Sequence, residues 1–245
     1  MELQRIVIVG ASSGIGAALA VEMARPGRSL GLVARRATEL HDIATAVTAR
    51  GAKAVVRTCD AVDEAAVAEC WHTLLGELGG CDALVYSSGV MTEVGPREFA
   101  IAKDRHIIEV NVIGAMAWLN LGAAHMADQG RGVLCGIGSV AGDRGRRQAP
   151  AYGASKAALH TYLESLRNRL SVLGVQVVTV KPGPVRTPML GARKLPLTVS
   201  AEVAARRISR AIARGEHTVY VHWGYRWIMA IVRCIPSIVF RRLAI

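Results

Sequence analysis

The stretch that most limits how this chain can fold is Ile6-Val-Ile-Val9, then Gly10-Ala-Ser-Ser-Gly14-Ile-Gly16, then Ala17-Ala-Leu-Ala-Val-Glu-Met23. A short β-branched run, a glycine-rich turn and a helical pattern follow one another directly. That order commits the chain to crossover connections and a parallel sheet. It also aims the unpaired N–H groups and positive end of a helix at whatever sits above the turn, and a pyrophosphate suits that place. Gly10, Gly14 and Gly16 carry the turn, with Ser12, Ser13 and Ile15 between them. Further strands are predicted at residues 29–34, 54–57, 83–87, 133–137, 176–181 and 217–221. Helices are predicted at 38–50, 63–78, 104–129, around Tyr152 and at 200–214, the last capped by Ser200. Six or seven strands alternating with helices imply an α/β fold, a doubly wound parallel sheet of about seven strands with helices on both faces and a ligand at the strands' carboxyl ends.

Residues 138–142 and 152–156 carry the reactive groups. Tyr152 and Lys156 are four apart and share one helix face. An ammonium beside a phenol lowers its pKa from a free value near ~10, toward the range where it exchanges a proton at neutral pH. Such a pair arises by chance on many helices, but here Ser139 lies just past the apolar run 133–137 and the glycine turn lies upstream. Together these residues resemble the short-chain dehydrogenase/reductase family over nearly the whole chain.

The resemblance implies a Rossmann-like reductase domain over 1–222, with 223–245 as an extension. It implies Asn111, Ser139, Tyr152 and Lys156 as the catalytic set, with the helix around Asn111 widened so that a water links Lys156 to solvent. Tyr152 and Lys156 would also hold the nicotinamide ribose, which Gly89 lets the backbone approach. Asp60 and Ala61 would meet the adenine, although Asp60 also reads as the N-cap of the helix at 63–78. Pro182, Gly183 and Val185 would face the carboxamide, and Thr187 the amide or phosphate. The second strand ends in Arg35-Arg36, where an acid would take a ribose 2′-OH. Arginines match a 2′-phosphate in charge and bidentate geometry, with Ser12 or Ser13 as a further donor, so NADP(H) is the expected cofactor. The plainer alternative is two solvated arginines at a strand end. Two departures from the family stand out: Val9 where Thr precedes the first glycine, and Tyr86-Ser87-Ser88-Gly89 in place of Asn-Asn-Ala-Gly.

Composition narrows the rest. The five cysteines show no C-x-x-C spacing, so neither a metal site nor a disulfide framework is expected, and a reduced cytoplasmic setting is. The first strand begins too early for a secretory leader, and no apolar run approaches the ~18–20 residues that span a bilayer. Residues 1–143 hold 12 Lys/Arg against 16 Asp/Glu, whereas 144–245 hold 18 against 3, which together give the net +11. A basic half points to an anionic membrane surface or a phosphorylated substrate; nucleic acid is not expected, for want of any zinc-finger or RNP pattern. Arg144, Arg146 and Arg147 precede the reactive tyrosine, where they either bind an anionic substrate or are simply solvated. His160 reads as a surface or packing residue, and residues 189–199 as a lid.

Residues 223–245 contain no acid and have an amphipathic pattern interrupted by Pro236. They suit a helix at the inner face of the cell membrane, or a buried segment of a homodimer or homotetramer. The tail is also similar to that of reductases acting on decaprenylphosphoryl 2-keto-ribose, in Tyr225-Arg-x-x-Met229, Arg233-x-Ile-Pro236 and Phe240-Arg-Arg-Leu243. The expected activity is NADPH-dependent reduction of a ketone, on a lipid-linked, phosphate-bearing keto-sugar. The alternatives are a soluble reductase of small ketones or hydroxysteroid-like alcohols, and an NADP-binding scaffold without turnover.

Overall fold

The structure, a computed structural model, describes residues 3–243. Residues 244 and 245, the end of the predicted extension, lie outside the described residues. The opening unit forms as β1 (Arg5–Val9) and α1 (Gly14–Met23), and the alternation continues through β2 (Ser29–Ala34), α2 (Ala37–Thr48), β3 (Lys53–Thr58), α3 (Glu64–Leu78) and β4 (Ala83–Tyr86). A long helical column follows, made of α4 (Ile101–Ile108), a π turn at Glu109–Ile113 and α5 (Gly114–Gln129). After it come β5 (Gly132–Ile137), α6 (Pro150–Leu170) and β6 (Val175–Lys181), then a small pair β7 (Val185–Arg186) and β8 (Val199–Ser200) that the sequence pattern did not reveal. The chain closes with α7 (Ala201–Ala213), β9 (Thr218–Tyr220), α8 (Gly224–Cys234) and α9 (Ser237–Phe240).

The large sheet runs β3-β2-β1-β4-β5-β6-β9, and every pairing is parallel. Strand order reverses between β1 and β4, which opens a crevice at their carboxyl ends. Alternate residues feed two cores. Ile6, Ile8, Leu30 and Leu32 pack on one face with Leu19 of α1, Leu40 of α2 and Ile208 of α7. Val7, Val9 and Leu84 pack on the other with Trp71 of α3, Trp118 of α5 and Leu163 of α6. Burial on both faces is why these strands read as unbroken apolar runs.

Three local details differ from or refine the sequence reading. Asp63, not Asp60, caps α3: its carboxylate accepts the N–H of Ala66 at 3.0 Å. The Asp60 carboxylate instead accepts the N–H of Val62, at 3.3 Å, in the turn after β3. Ser200 caps α7 as expected, accepting from Val203 N. The column Ile101–Gln129 is, contrary to expectation, long and apolar enough to cross a bilayer. Its large residues Trp118, Leu119 and Met126 are nevertheless fully buried against the sheet, as in a core helix.

The start of β1 is fastened to β4 by one carboxylate. Asp82 accepts from Gln4 N at 3.0 Å, from Arg5 N at 2.8 Å, and from Arg5 Nε and Nη2 at 3.2 and 2.6 Å. Burial pushes the Asp82 pKa up, but these hydrogen bonds and the Arg5 charge outweigh it, and the carboxyl sits below its ordinary value. Its contribution is therefore complete above the unfolded pKa and is lost as pH falls through the lower folded one. Asp82→Ala is expected to cost roughly 1.5–3 kcal/mol in urea unfolding at neutral pH. The gap to the unsubstituted protein should close as pH drops below about 4; a gap that persists in acid would mean a packing defect instead.

Candidate active site at the carboxyl edge of the sheet

The glycine turn sits above β1 and is shaped by backbone geometry. Gly10 and Gly14 have φ of 86° and 58°, a region side chains disfavour. Gly10 N and Ala11 N both donate to Val33 O, at 2.7 and 3.1 Å, so the turn is pinned to β2 without a threonine at position 9. A Cβ on Gly16 would overlap the Gly10 carbonyl, and one on Gly14 would lie 3.2 Å from the Thr187 methyl group. Ser13 precedes α1 without capping it, so the first helical N–H groups have no side-chain acceptor. Ile15 is half-buried on the core. This cradle fits the pyrophosphate of a dinucleotide.

Two cations stand beside it. Arg36 Nη2 donates to Ser12 Oγ and Ser13 Oγ, at 2.9 and 2.7 Å, while its Nη1 lies 3.2 Å from Glu39. Arg35 Nη1 lies 3.7 Å from Asp60. The structure thus gathers Ser12, Ser13, Arg35, Arg36 and Asp60 at one end of the crevice. The Ala61 carbonyl packs against Gly114 of the central column, where a Cβ would come within 2.7 Å of it.

At the next crevice, Ser139, Tyr152, Lys156 and Asn111 come together from β5, α6 and the π turn. Lys156 is buried, donates to the Ile137 carbonyl at 2.9 Å, and has Nζ 5.8 Å from the centre of the Tyr152 ring. Burial lowers its pKa to about 8. The expected depression of the Tyr152 pKa does not emerge. Burial of the phenol raises it, and the opposing influences are a hydrogen bond with Ser139 and the charges of Arg146 and Arg193. The balance is upward, because removing a phenolate from water outweighs those attractions. A proton-loaded phenol at neutral pH is a donor.

Asn111 is fully buried. Its Oδ1 accepts from Val90 N at 2.8 Å, and its Nδ2 donates to Val90 O and Ser155 Oγ, both at 3.0 Å. Ser155 in turn donates to Tyr152 O at 2.8 Å. Gly89 faces this cluster: a Cβ there would lie 3.2 Å from Lys156 Nζ and 3.3 Å from Asn111 Oδ1. The helix is widened as the resemblance implies, with Gly114 N reaching back to Glu109 O. The sequence reading missed the residue that holds this turn. Tyr86, fully buried, donates its hydroxyl to Val110 O at 2.6 Å. It takes over bracing where the family has asparagine; its place in the Asn-Asn-Ala-Gly position was the only signal.

A second node lies behind Ser139, joined by Asp143. His160 is a packing residue rather than a surface one, accepting Ser139 N through Nε2 at 3.3 Å. Its pKa falls to about 3 through burial, with the Lys181 charge adding to it. Asp143 accepts from Lys181 Nζ at 2.6 Å and Tyr220 OH at 2.9 Å, with His160 Nδ1 at 3.6 Å, so it ties β6, β9 and α6 to the turn after Ser139.

The loop 143–150 is not an open arginine cluster. Arg144 donates to Arg233 O, Ile235 O and Ser237 Oγ and stacks over Phe240 at 4.7 Å. Arg147 donates to Arg241 O. Only Arg146 turns inward, with Nη2 3.9 Å from the Met229 sulfur. Pro182 accepts Val140 N at 2.9 Å, Val185 is buried, and Thr187 Oγ1 donates to Val185 O at 3.3 Å. Gly183 is covered by the Tyr225 ring, so α8 forms one wall of the predicted carboxamide loop.

A doubly wound parallel sheet, with a glycine turn at its switch point and a hydroxyl, phenol and ammonium at the next crevice, defines a dinucleotide-binding α/β protein. The chain belongs to the short-chain dehydrogenase/reductase family of oxidoreductases: a family model described as short chain dehydrogenase matches residues 4–196. It is 34% identical over 240 residues to an uncharacterised oxidoreductase of Mycobacterium tuberculosis, covering 97% of this chain and 96% of that one. It is 31% identical over 211 residues to cis-4-hydroxycyclohexanecarboxylate dehydrogenase of Sinomonas cyclohexanicum, covering 86% and 84%. A short-chain dehydrogenase of Sphingobium yanoikuyae solved with NADPH superposes with a TM-score of 0.83 at 25% identity, covering 96% of this chain and 97% of that one.

Tyr86→Phe should leave the Val110 carbonyl buried without its donor and cost about 1–3 kcal/mol in chemical unfolding. An unchanged midpoint would show that the π turn needs no brace.

Proposed function

We propose that this protein is an NADPH-dependent carbonyl reductase. The observation that carries the reading is the Tyr152 phenol beside Ser139, its pKa raised by burial, with the buried ammonium of Lys156 at 5.8 Å from its ring centre. When bound, NADPH supplies the hydride that reaches the ketone carbon. Tyr152 gives its proton to the carbonyl oxygen, and Ser139 hydrogen-bonds that same oxygen. Lys156 would hold the ribose hydroxyls. Asn111, locked by Val90 and Ser155, fixes the widened turn beside Lys156 through which a water resupplies the proton.

Arg36 with Ser12 and Ser13, and Arg35 with Asp60, support NADP(H) over NAD(H), since a 2′-phosphate would find two guanidinium groups and two hydroxyls there. The similar Sphingobium protein was solved with NADPH. Asp60 and Ala61 would border the adenine. Gly89, Pro182, Gly183, Val185 and Thr187 would border the nicotinamide half.

The substrate we infer is a ketone carrying an anionic group. Arg146 and Arg193 both bear on Tyr152, and Arg146 Nε is buried without a hydrogen-bond partner. A phosphate-bearing, lipid-linked keto-sugar fits, and so does a smaller keto acid. The name of the Sinomonas relative describes a ring alcohol with a carboxylate.

Tyr152→Phe should lower NADPH-dependent ketone reduction by roughly a hundredfold to ten-thousandfold while NADPH binding, followed by fluorescence titration, stays within about twofold. Turnover should also fall as pH rises through about 8, where Lys156 loses its proton; a limb starting only above ~10 would belong to the phenol instead. Arg36→Ala should weaken NADPH by roughly tenfold to a hundredfold and leave NADH nearly unchanged. Equal loss of both would remove the 2′-phosphate assignment. Assays with a polyprenyl-phosphate 2-keto-sugar in detergent, 4-oxocyclohexanecarboxylate and neutral cyclohexanone divide the substrate readings. Preference for neutral ketones would sink the anionic one, and silence with all three would favour a binding protein without turnover.

A further inference from the structure

The C-terminal helices present a surface that nothing else in the described chain covers. Trp223, Trp227 and Ile231 recur every four residues, so they share one face of α8, and they are 74%, 64% and 68% exposed. Ile238 and Val239 of α9 are exposed as well, at 58% and 48%. Large exposed apolar side chains are unremarkable singly, but a contiguous aromatic and aliphatic patch is not. The surface is also rigid. Met229 on the underside of α8 is buried, Tyr225 packs on Gly183 and donates its hydroxyl to Pro196 O, and Arg144 holds the carbonyls of Arg233 and Ile235. The apolar arc is therefore held outward by the fold.

Charge decides what it faces. Residues 217–245 contain no Asp or Glu, and Arg226, Arg233, Arg241 and Arg242 border the patch or continue from it. By the helical period, Arg226 and Arg233 lie together at one edge of the Trp223–Trp227–Ile231 face. A second copy of this surface would bring like charges together as the apolar residues met, which opposes self-association. An anionic lipid surface accepts both parts at once, with indole and isoleucine side chains at the acyl boundary and guanidinium groups among the phosphates.

We propose that α8 and α9 dock the protein on anionic bilayers, with Trp223, Trp227, Ile231 and Ile238 inserted and the bordering arginines at head-group level. The inserted face is one helix thickness, about 10 Å, from the inner face on which Tyr225 covers Gly183. Docking thus sets the substrate side of the molecule close to the membrane. The inference does not rest on the reductase reading, and its test requires no turnover.

The full chain would be sedimented with vesicles of phosphatidylcholine alone and with vesicles containing about one third phosphatidylglycerol. Tryptophan emission would be recorded alongside. Trp71 and Trp118 are 2% and 0% exposed while Trp223 and Trp227 are open, so a blue shift on binding reports the tail. Binding should require the anionic lipid and weaken by at least about tenfold in high salt, which screens the arginines. The double variant Trp227→Glu with Ile231→Glu changes only exposed positions. It should lose vesicle binding by at least about tenfold while keeping its circular dichroism and melting temperature. Absence of binding to the anionic vesicles, or equal binding to both vesicle types, would overturn the proposal. So would sedimentation equilibrium showing a dimer that the double variant dissociates, since the patch would then belong to a second copy.

Discussion

Parallel pairing is the constraint on which everything else in this molecule depends. A parallel ladder puts the carboxyl ends of all its strands along one edge, so the loops after β1, β2, β4, β5 and β6 have no choice but to meet there. The glycine turn, Arg35-Arg36, Gly89, Ser139 and the Pro182-Gly183 loop are distant in sequence and adjacent in space for that reason alone. The reversal of strand order between β1 and β4 then opens the gap above that edge. No catalytic requirement has to be invoked to explain why these segments are neighbours. The chemistry uses an edge that the backbone hydrogen bonds already define.

What keeps the edge usable is a set of buried polar groups that are satisfied almost completely. Asn111, Ser155 and Lys156 sit at 0%, 0% and 4% exposure, where an unpaired polar group would be costly. Each finds a partner: Asn111 on Val90 and Ser155, Ser155 on the Tyr152 carbonyl, and Lys156 on the Ile137 carbonyl. Because every member is committed, none can rotate without leaving another unpaired, and the low dielectric makes that penalty larger. The widened turn belongs to the same logic. Gly114 N reaches back five residues to Glu109 O, and Tyr86 adds a donor to the Val110 carbonyl within the turn. The place of Tyr152 is thus set by the hydrogen bonds of its neighbours, among them Asn111 and Lys156.

Much of the fold was legible in the sequence because buried parallel strands leave an unmistakable trace of apolar runs bounded by turn residues, and β2 was read to the residue. The gathering of the candidate site residues was legible for a different reason, since Tyr152 and Lys156 stand four apart on α6 and Ser139 comes just after β5. Properties that depend on contacts across elements were not legible. Asp60 has the residue type of a cap, but the start of the helix, which only geometry reveals, selects Asp63. The proximity of Lys156 to Tyr152 suggested a lowered phenol pKa, yet burial, which no local pattern reports, wins. Arg144, Arg146 and Arg147 look alike as a string. Their roles separate only when the tail folds back and takes two of them.

That folding back gives the uneven charge of the chain a physical meaning. The basic half is not a uniform field, because its cations are divided by what they touch. Arg144 and Arg147 are spent on carbonyls of the tail, Arg207 on Glu216, and Lys181 on Asp143. Guanidinium groups satisfied by backbone oxygens keep their full charge, so the tail is fastened without neutralising the region. The consequence is a helix pinned on its inner side by cations and apolar contacts while its outer side stays both positive and apolar. A tail required only to close the core would gain nothing from outward Trp223 and Trp227, whose burial would each contribute roughly 1.5–3 kcal/mol if they turned inward. Their orientation is the part of this structure that folding alone does not account for.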